Sequence, residues 1–320
     1  MKIWALGDAV VDLLPVGDMR YQACAGGAPF NVAVGAARLA CDTAFIGRVG
    51  DDQFGRFLQK TLEEQGVDAG HIVRDAGHRT STVMVELADN GERSFSFLVN
   101  PSADQFLTTD DLPVFDHDIL HFCSLALTAP SCRETTQLAV ARIKAKGGWV
   151  SFDLNLREQM WADKQQMRTI IEQQCINADI LKLSDEELLW LANDDSTQWQ
   201  QALSALQRFP APLKIITRGK QGGIVIYQDK TVIFPGYSVE SIDTTGAGDA
   251  FMAGLLAWLA RHGMPEFTRL SSMISQASAC GALATTRKGA LPALPTPVQL
   301  NRFLNEFGLL SATSTRPVGS

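Results

Sequence analysis

Short apolar runs alternate along this chain with stretches whose apolar residues recur at helical spacing. Ile3–Leu6 and residues 44–46, 119–122, 149–152, 180–183 and 214–217 read as buried strands. Between them, residues 53–65 follow Asp51-Asp52 and stop at Gly66, which are helix start and stop signals. Residues 135–146 end at Gly147-Gly148 in the same way. Residues 251–261 set Phe251, Gly254, Leu255, Trp258 and Leu259 on one face and end at Gly263. Strands alternating with helices predict an α/β fold, a mostly parallel sheet with helices on both faces.

Two regions break the rhythm. Residues 82–87 and 94–99 are strand-like and flank Asp89-Asn90-Gly91, a hairpin signal. A hairpin with no neighbouring helix does not fit a layered core. Its expected partner is the segment 12–24, the two together forming a small β-sheet that projects from the core. Gly223–Tyr227 and residues 231–234 predict a second hairpin at the edge of the main sheet. The expected division is a core of residues 1–11, 25–79 and 101–310, a small sheet of 12–24 and 80–100, and a flexible, polar tail of 311–320.

Composition narrows the function. The 320 residues are 46% hydrophobic and 20% charged, as in an ordinary globule, and the net charge is −7. An acidic chain without a basic face argues against nucleic acid as partner. The six cysteines form no C-x-x-C pair, and His117 and His121 lack the Glu of an H-E-x-x-H motif, so neither a disulfide framework nor zinc is expected. The chain begins with no signal-peptide pattern, and its longest uncharged stretches are interrupted by polar residues. No membrane span and a cytoplasmic location are expected.

The chemistry concentrates in Asp243-Thr244-Thr245-Gly246-Ala247-Gly248-Asp249-Ala250-Phe251. Gly246 and Gly248 let backbone approach a ligand closely. The N–H groups at the following helix start form an anion site, and Asp249 lies in that first turn. Donors for developing charge beside a carboxylate are the main needs of phosphoryl transfer. Taken alone, the same residues also suit a plain glycine-rich turn whose Asp stabilises a helix start. The chain holds no G-x-x-x-x-G-K-[ST] loop, and no G-x-G-x-x-G follows the first strand.

The 243–251 segment resembles the C-terminal signature of the ribokinase-like (PfkB) carbohydrate kinase family. Gly26-Gly27-Ala28-Pro29-Phe30-Asn31 resembles its N-terminal signature, and Gly7-Asp8-Ala9-Val10-Val11-Asp12 fits as well. Within the family, residues 7–15, 46–52, 92–104 and 123–133 are most similar to bacterial fructokinases, with aminoimidazole riboside kinases next. The resemblance implies a three-layer α/β/α core with a small β-sheet lid. It makes Asp249 the catalytic base, and Gly246, Ala247 and Gly248 the anion hole. It places Asp12, Gly27 and Asn31 at the sugar, and Arg157 at the substrate or the transferring phosphate. A loop Asp and a surface salt bridge are the plainer readings of Asp12 and Arg157. Phe97, alternating with Ser96, would roof the sugar, pack within the lid or meet a second copy across a dimer.

The resemblance further implies that Lys182 and Glu187 lie near the phosphates of ATP, with Glu187 helping to organise magnesium. Ser184 and Glu187 also match a helix capping box. Thr217, Arg218, Gly219 and Gly222 would belong to the nucleotide site, or simply to a turn. Ser278 stands where relatives often carry an Asn near adenine. Asp243, Thr245, Ala284, Arg287, Gly289 and Ala293 match a loop pair that holds a monovalent cation, expected to be potassium. The implied activity is transfer of the ATP γ-phosphoryl group to a primary hydroxyl, with fructose giving fructose 6-phosphate. Alternatives are the same chemistry on aminoimidazole riboside or on 2-keto-3-deoxygluconate, or a catalytically inactive sugar-binding regulator.

Overall fold

In β1 (Ile3–Leu6) successive side chains face opposite ways. Ile3 and Ala5 enter one apolar core, and Trp4 and Leu6 enter another. The sheet that contains β1 is therefore covered on both faces. The computed structural model describes residues 1–87, 93–192, 199–228, 230–311 and 313–315.

After β1 come β2 (Val10–Pro15), β3 (Tyr21–Gly26), α1 (Ala28–Arg38), β4 (Thr43–Gly50), α2 (Gln53–Glu64), β5 (Asp68–Asp75), β6 (Ser81–Leu87) and β7 (Arg93–Phe97). The middle of the chain forms β8 (Ile119–Cys123), α3 (Pro130–Ala145), β9 (Trp149–Asp153), α4 (Lys164–Asn177), β10 (Ile180–Ser184), α5 (Asp185–Ala192) and α6 (Trp199–Ala205). Then follow β11 (Leu213–Thr217), β12 (Gly223–Tyr227), β13 (Lys230–Phe234), α7 (Ala247–His262), α8 (Leu270–Thr285), α9 (Ala290–Ala293), α10 (Pro297–Phe307) and β14 (Thr313–Thr315).

Ten strands form the main sheet in the order β14-β13-β12-β11-β10-β9-β8-β1-β4-β5. From β5 to β11 every pairing is parallel, and β12, β13 and β14 run antiparallel at one edge. Helices α1, α7 and α8 supply one core, with Phe30, Phe251 and Met273. Helices α3, α4 and α5 supply the other, with Ile143, Ile171 and Leu188.

The second sheet has four strands in the order β3-β2-β6-β7. β2 pairs in parallel with β6, Asp12 facing Val83, and β6 pairs antiparallel with β7, Val83 facing Phe97. This sheet runs from Val10 to Gly26, two residues beyond the expected 12–24 at each end. Val10 and Val11 are buried where it joins the core. The turn Asp89-Asn90-Gly91 lies outside the described residues.

The tail expected to be flexible from 311 is corrected in part. Thr313–Thr315 pairs antiparallel with β13, Ile233 facing Thr313. The outer edge of β13 offers a row of backbone donors and acceptors, and a short run of Thr and Ser suits a strand. Residues 312 and 316–320 lie outside the described residues.

Close packing of α1 on α7 has the greatest bearing on the site. A Cβ on Gly35 would stand 2.6 Å from the Cβ of Ala253, so only glycine permits this approach. The contact brings the N-terminal turns of the two helices together.

Candidate active site

Parallel strands end at one edge, and ligands in such sheets bind beyond their carboxyl ends. Here that edge carries a cavity of about 250 Å³. Asp8 follows β1, Cys123 and Asp153 close β8 and β9, and Asn155 and Arg157 continue from β9. Asn31 enters from α1, Lys182 from β10, and Gly246, Gly248 and Asp249 from the start of α7. Val10, Asp12, Val83 and Phe97 close the cavity from the small sheet.

The start of α7 depends on Gly246. Its φ is +74°, a conformation that side chains strain to adopt, and a Cβ there would lie 2.6 Å from that of Ala290. Past this turn a 16-residue helix begins; Ala247 N–H is taken by Thr244 O at 3.2 Å, while Gly246 and Gly248 line the cavity at the helix start. The positive end of the helix dipole lies there.

Asp249 stands in that turn. Asn31 Nδ2 donates to Asp249 Oδ2 at 2.8 Å, a bond made available by the α1–α7 packing. Burial pushes the Asp249 carboxyl above the usual carboxylate range, opposed by Asn31, Lys182 and Arg157. A raised carboxyl pKa makes the group a better proton acceptor, and the Asn31 hydrogen bond fixes one of its oxygens. Asn31 was expected at the sugar. Its amide N–H₂ orients Asp249, and its Oδ1 is buried without a partner.

Lys182 is only 6% exposed and donates to both Asp153 oxygens, at 3.0 and 2.9 Å. Burial works against its charge, but Asp153 and Glu187 outweigh that effect and push its pKa up. It is a fixed cation on the first-cavity side of the α7 start. Sequence reasoning placed Lys182 near the nucleotide phosphates; the structure places it in the first cavity, with Nζ 3.4 Å from where a Gly248 Cβ would stand.

A second cavity, of about 520 Å³, lies on the other side of the 244–248 loop. Thr217, Gly219, Gly222 and Ser278 line it, with Ala247 and Gly248. Gly248 is common to both cavities. Arg218 does not line it; its guanidinium lies 4.5 Å over the Trp199 ring. Glu187 lines neither cavity. Its oxygens accept from Leu156 N–H at 2.8 Å and Ser184 N–H at 2.7 Å, and Ser184 Oγ accepts from Glu187 N–H at 3.2 Å. The capping-box reading is realised.

The two segments expected to hold a monovalent cation are joined. Asp243 Oδ1 accepts from Thr245 N–H and Oγ–H, Asp243 Oδ2 accepts from Gly289 N–H at 2.8 Å, and Asp243 N–H donates to Thr285 O. Ala284, Arg287, Gly289 and Ala293 lie on the 284–293 segment, which reaches Gly246 through Ala290. Among the described residues, no group of three or more His, Cys, Asp or Glu side chains is placed to hold a metal ion.

Sequence reasoning missed Asp8, Cys123, Asp153 and Asn155. Asp8 is 6% exposed, and burial together with nearby Asp104 pushes its pKa up to about 7. Asn155 holds a positive φ of 38°, and its carbonyl accepts from Ser124 Oγ at 3.0 Å. The available signal was positional, since all four lie at or just past a parallel strand's carboxyl end.

Residues 6–297 match the model of the pfkB family carbohydrate kinases. The chain belongs to this family. It is 50% identical to a fructokinase of Klebsiella pneumoniae over 306 residues, 95% of this chain and 99% of that one. It is 40% identical to an aminoimidazole riboside kinase of Salmonella typhimurium over 98% of each chain. The crystal structure of Vibrio cholerae fructokinase with fructose, ADP and calcium superimposes with a TM-score of 0.89 at 46% identity, covering 95% of this chain and 98% of that one. A double mutant of that enzyme, bound to fructose, ADP and potassium, gives the same score, identity and coverage. The family accounts for a three-layer core with a small second sheet. It also makes the chain an ATP-dependent carbohydrate kinase. Among the described residues, no helix is long and apolar enough to cross a membrane.

Proposed function

We propose that this kinase phosphorylates fructose to fructose 6-phosphate at the first cavity, with ATP in the second. The observation that carries this reading is that the two cavities meet at Gly248, beside Asp249 and the N-terminus of α7. Asp249 takes the proton from the sugar's primary hydroxyl. The freed oxygen attacks the γ-phosphorus, the bond to the β-phosphate oxygen breaks, and ADP leaves. Charge on the transferring group meets the N–H groups of Gly246–Gly248, with Lys182 and Arg157 on the sugar side. Asp12 and the small sheet act as a lid that holds the other hydroxyls.

Magnesium is implied by the chemistry. With both Glu187 oxygens engaged by backbone N–H, the donor set suits an ion carried by the triphosphate rather than a protein cage. Glu187 would act through the ion's water shell. When bound, magnesium supplies positive charge to the phosphate oxygens.

Potassium would be held by the loops around Asp243 and residues 284–293, as carbonyl-rich segments can do. Because Ala290 packs on Gly246, such an ion would order the anion-hole loop. Replacing sodium by potassium at constant ionic strength should raise kcat more than it changes KM. Equal kcat in the two salts, after passage over chelating resin, would remove the cation from this role.

The sugar is tested by comparison. Phe97 lines the first cavity with a ring that offers no hydrogen bond, which suits a compact sugar better than a riboside bearing a polar base. Fructose should exceed aminoimidazole riboside in kcat/KM by at least about tenfold, or about 1.4 kcal/mol. Phe97→Tyr should narrow that ratio. A wild-type preference for the riboside would support the second reading, to which the 40% identity with a riboside kinase lends weight.

A further inference from the structure

The second cavity, read above as the nucleotide site, has apolar walls that include Val239, Phe251, Gly281 and Ala282. No Asn, Gln, Asp, Glu, Arg or His is among the described residues that line it. Purine discrimination usually needs such a group, because a fixed donor–acceptor pair fits one base edge and leaves another unpaired.

The hydroxyls that line the cavity are mostly committed elsewhere. Tyr237 OH donates to Gly308 O at 2.8 Å, and Thr285 Oγ donates to Ala282 O at 2.8 Å. Thr217 Oγ donates to Leu183 O at 3.4 Å. Ser238, Ser241 and Thr244 are exposed to water. Ser278 differs: its Oγ is buried and has no partner. A buried hydroxyl left unpaired is costly, and a bound ligand can satisfy it.

We propose that Ser278 reads the base through one rotatable hydroxyl, so that the kinase accepts GTP as phosphoryl donor almost as well as ATP. A serine hydroxyl both donates and accepts. It can accept from the 6-amino group of adenine or, after rotating, donate to the 6-oxo group of guanine. The flat apolar walls contact either ring system. Discrimination between the purines is then left to differences that no buried charged or amide side chain enforces, Lys220, the one charged residue among the described residues that line the cavity, being exposed. This inference rests on the nucleotide reading of the second cavity and adds a donor class to it.

The test measures fructose 6-phosphate formation by the full chain at saturating fructose, with ATP or GTP varied. We expect kcat/KM for GTP within about tenfold of that for ATP, less than about 1.4 kcal/mol apart. A larger deficit overturns the proposal while leaving the kinase reading intact. No product with either nucleotide would overturn both. Ser278→Ala should raise KM for ATP and GTP alike, by about threefold to tenfold, the usual worth of one neutral hydrogen bond. Because KM does not depend on the amount of folded enzyme, partial loss of folded protein does not disturb this readout. A rise for ATP alone, or for neither, would remove Ser278 from the role.

Discussion

Asp249→Asn should leave the fold and substrate binding in place and lower kcat by a factor on the order of 10²–10⁴, the usual worth of a positioned acid–base group. The substitution is nearly isosteric, and its amide oxygen can still accept from Asn31 Nδ2, so α1 and α7 keep their contact. What disappears is the capacity to receive a proton. Wild-type activity carries a second signature of the same group. Because burial raises the Asp249 pKa, the base is protonated and lost as pH falls through that raised value. The acid limb of kcat/KM should therefore lie above the ordinary carboxylate range. A variant that keeps more than about a tenth of wild-type kcat would exclude Asp249 as the base.

The anion-hole loop offers the second large effect, and its two glycines separate structure from chemistry. Gly246→Val forces a β-branched residue into positive φ, at a cost of roughly 1–3 kcal/mol, and drives a Cβ into Ala290. Both stability and turnover should fall. Gly248 is different. A Cβ there meets nothing closer than Lys182 Nζ at 3.4 Å, an ordinary contact, and its φ is not in the strained range. Gly248→Val should therefore melt near wild type, yet place its side chain where the two cavities meet. The expected loss of kcat is about 10²–10³, comparable to removing an oxyanion-hole donor. Near-normal turnover in a folded Gly248→Val protein would show that the transferred group does not pass there.

The core was legible because its strands are continuous apolar runs bounded by turn residues, the pattern that burial on both faces demands. β5 escaped for the opposite reason. Asp68–Asp75 is an edge strand in which Ala69 and Ile72 are the buried residues, set three apart among polar and charged ones, so it shows neither a continuous apolar run nor a strict alternation. The glycine-rich run drew attention to the 244–248 loop, where the positive φ of Gly246 and its contact with Ala290 require glycine. Asp8 and Asp153 left no such trace. A single aspartate after a strand is commonplace in turns, and only the parallel order of β1, β8 and β9 collects these carboxylates at one edge. Lys182 was named from the sequence near the phosphates, but its place in the first cavity was not legible, because its partner Asp153 lies on a neighbouring strand.

The first cavity takes its reactive groups from one sheet and its roof from another. Asp249, Lys182 and Arg157 belong to the layered core, whereas Asp12, Val83 and Phe97 belong to the four-stranded sheet. Selectivity and chemistry can therefore diverge independently. On the proposed function, a substitution in β2, β6 or β7 would alter which sugar is held without moving Asp249 or the 246–248 loop. Substrate range would then have room to drift, because changes in the roof leave the catalytic groups of the core in place.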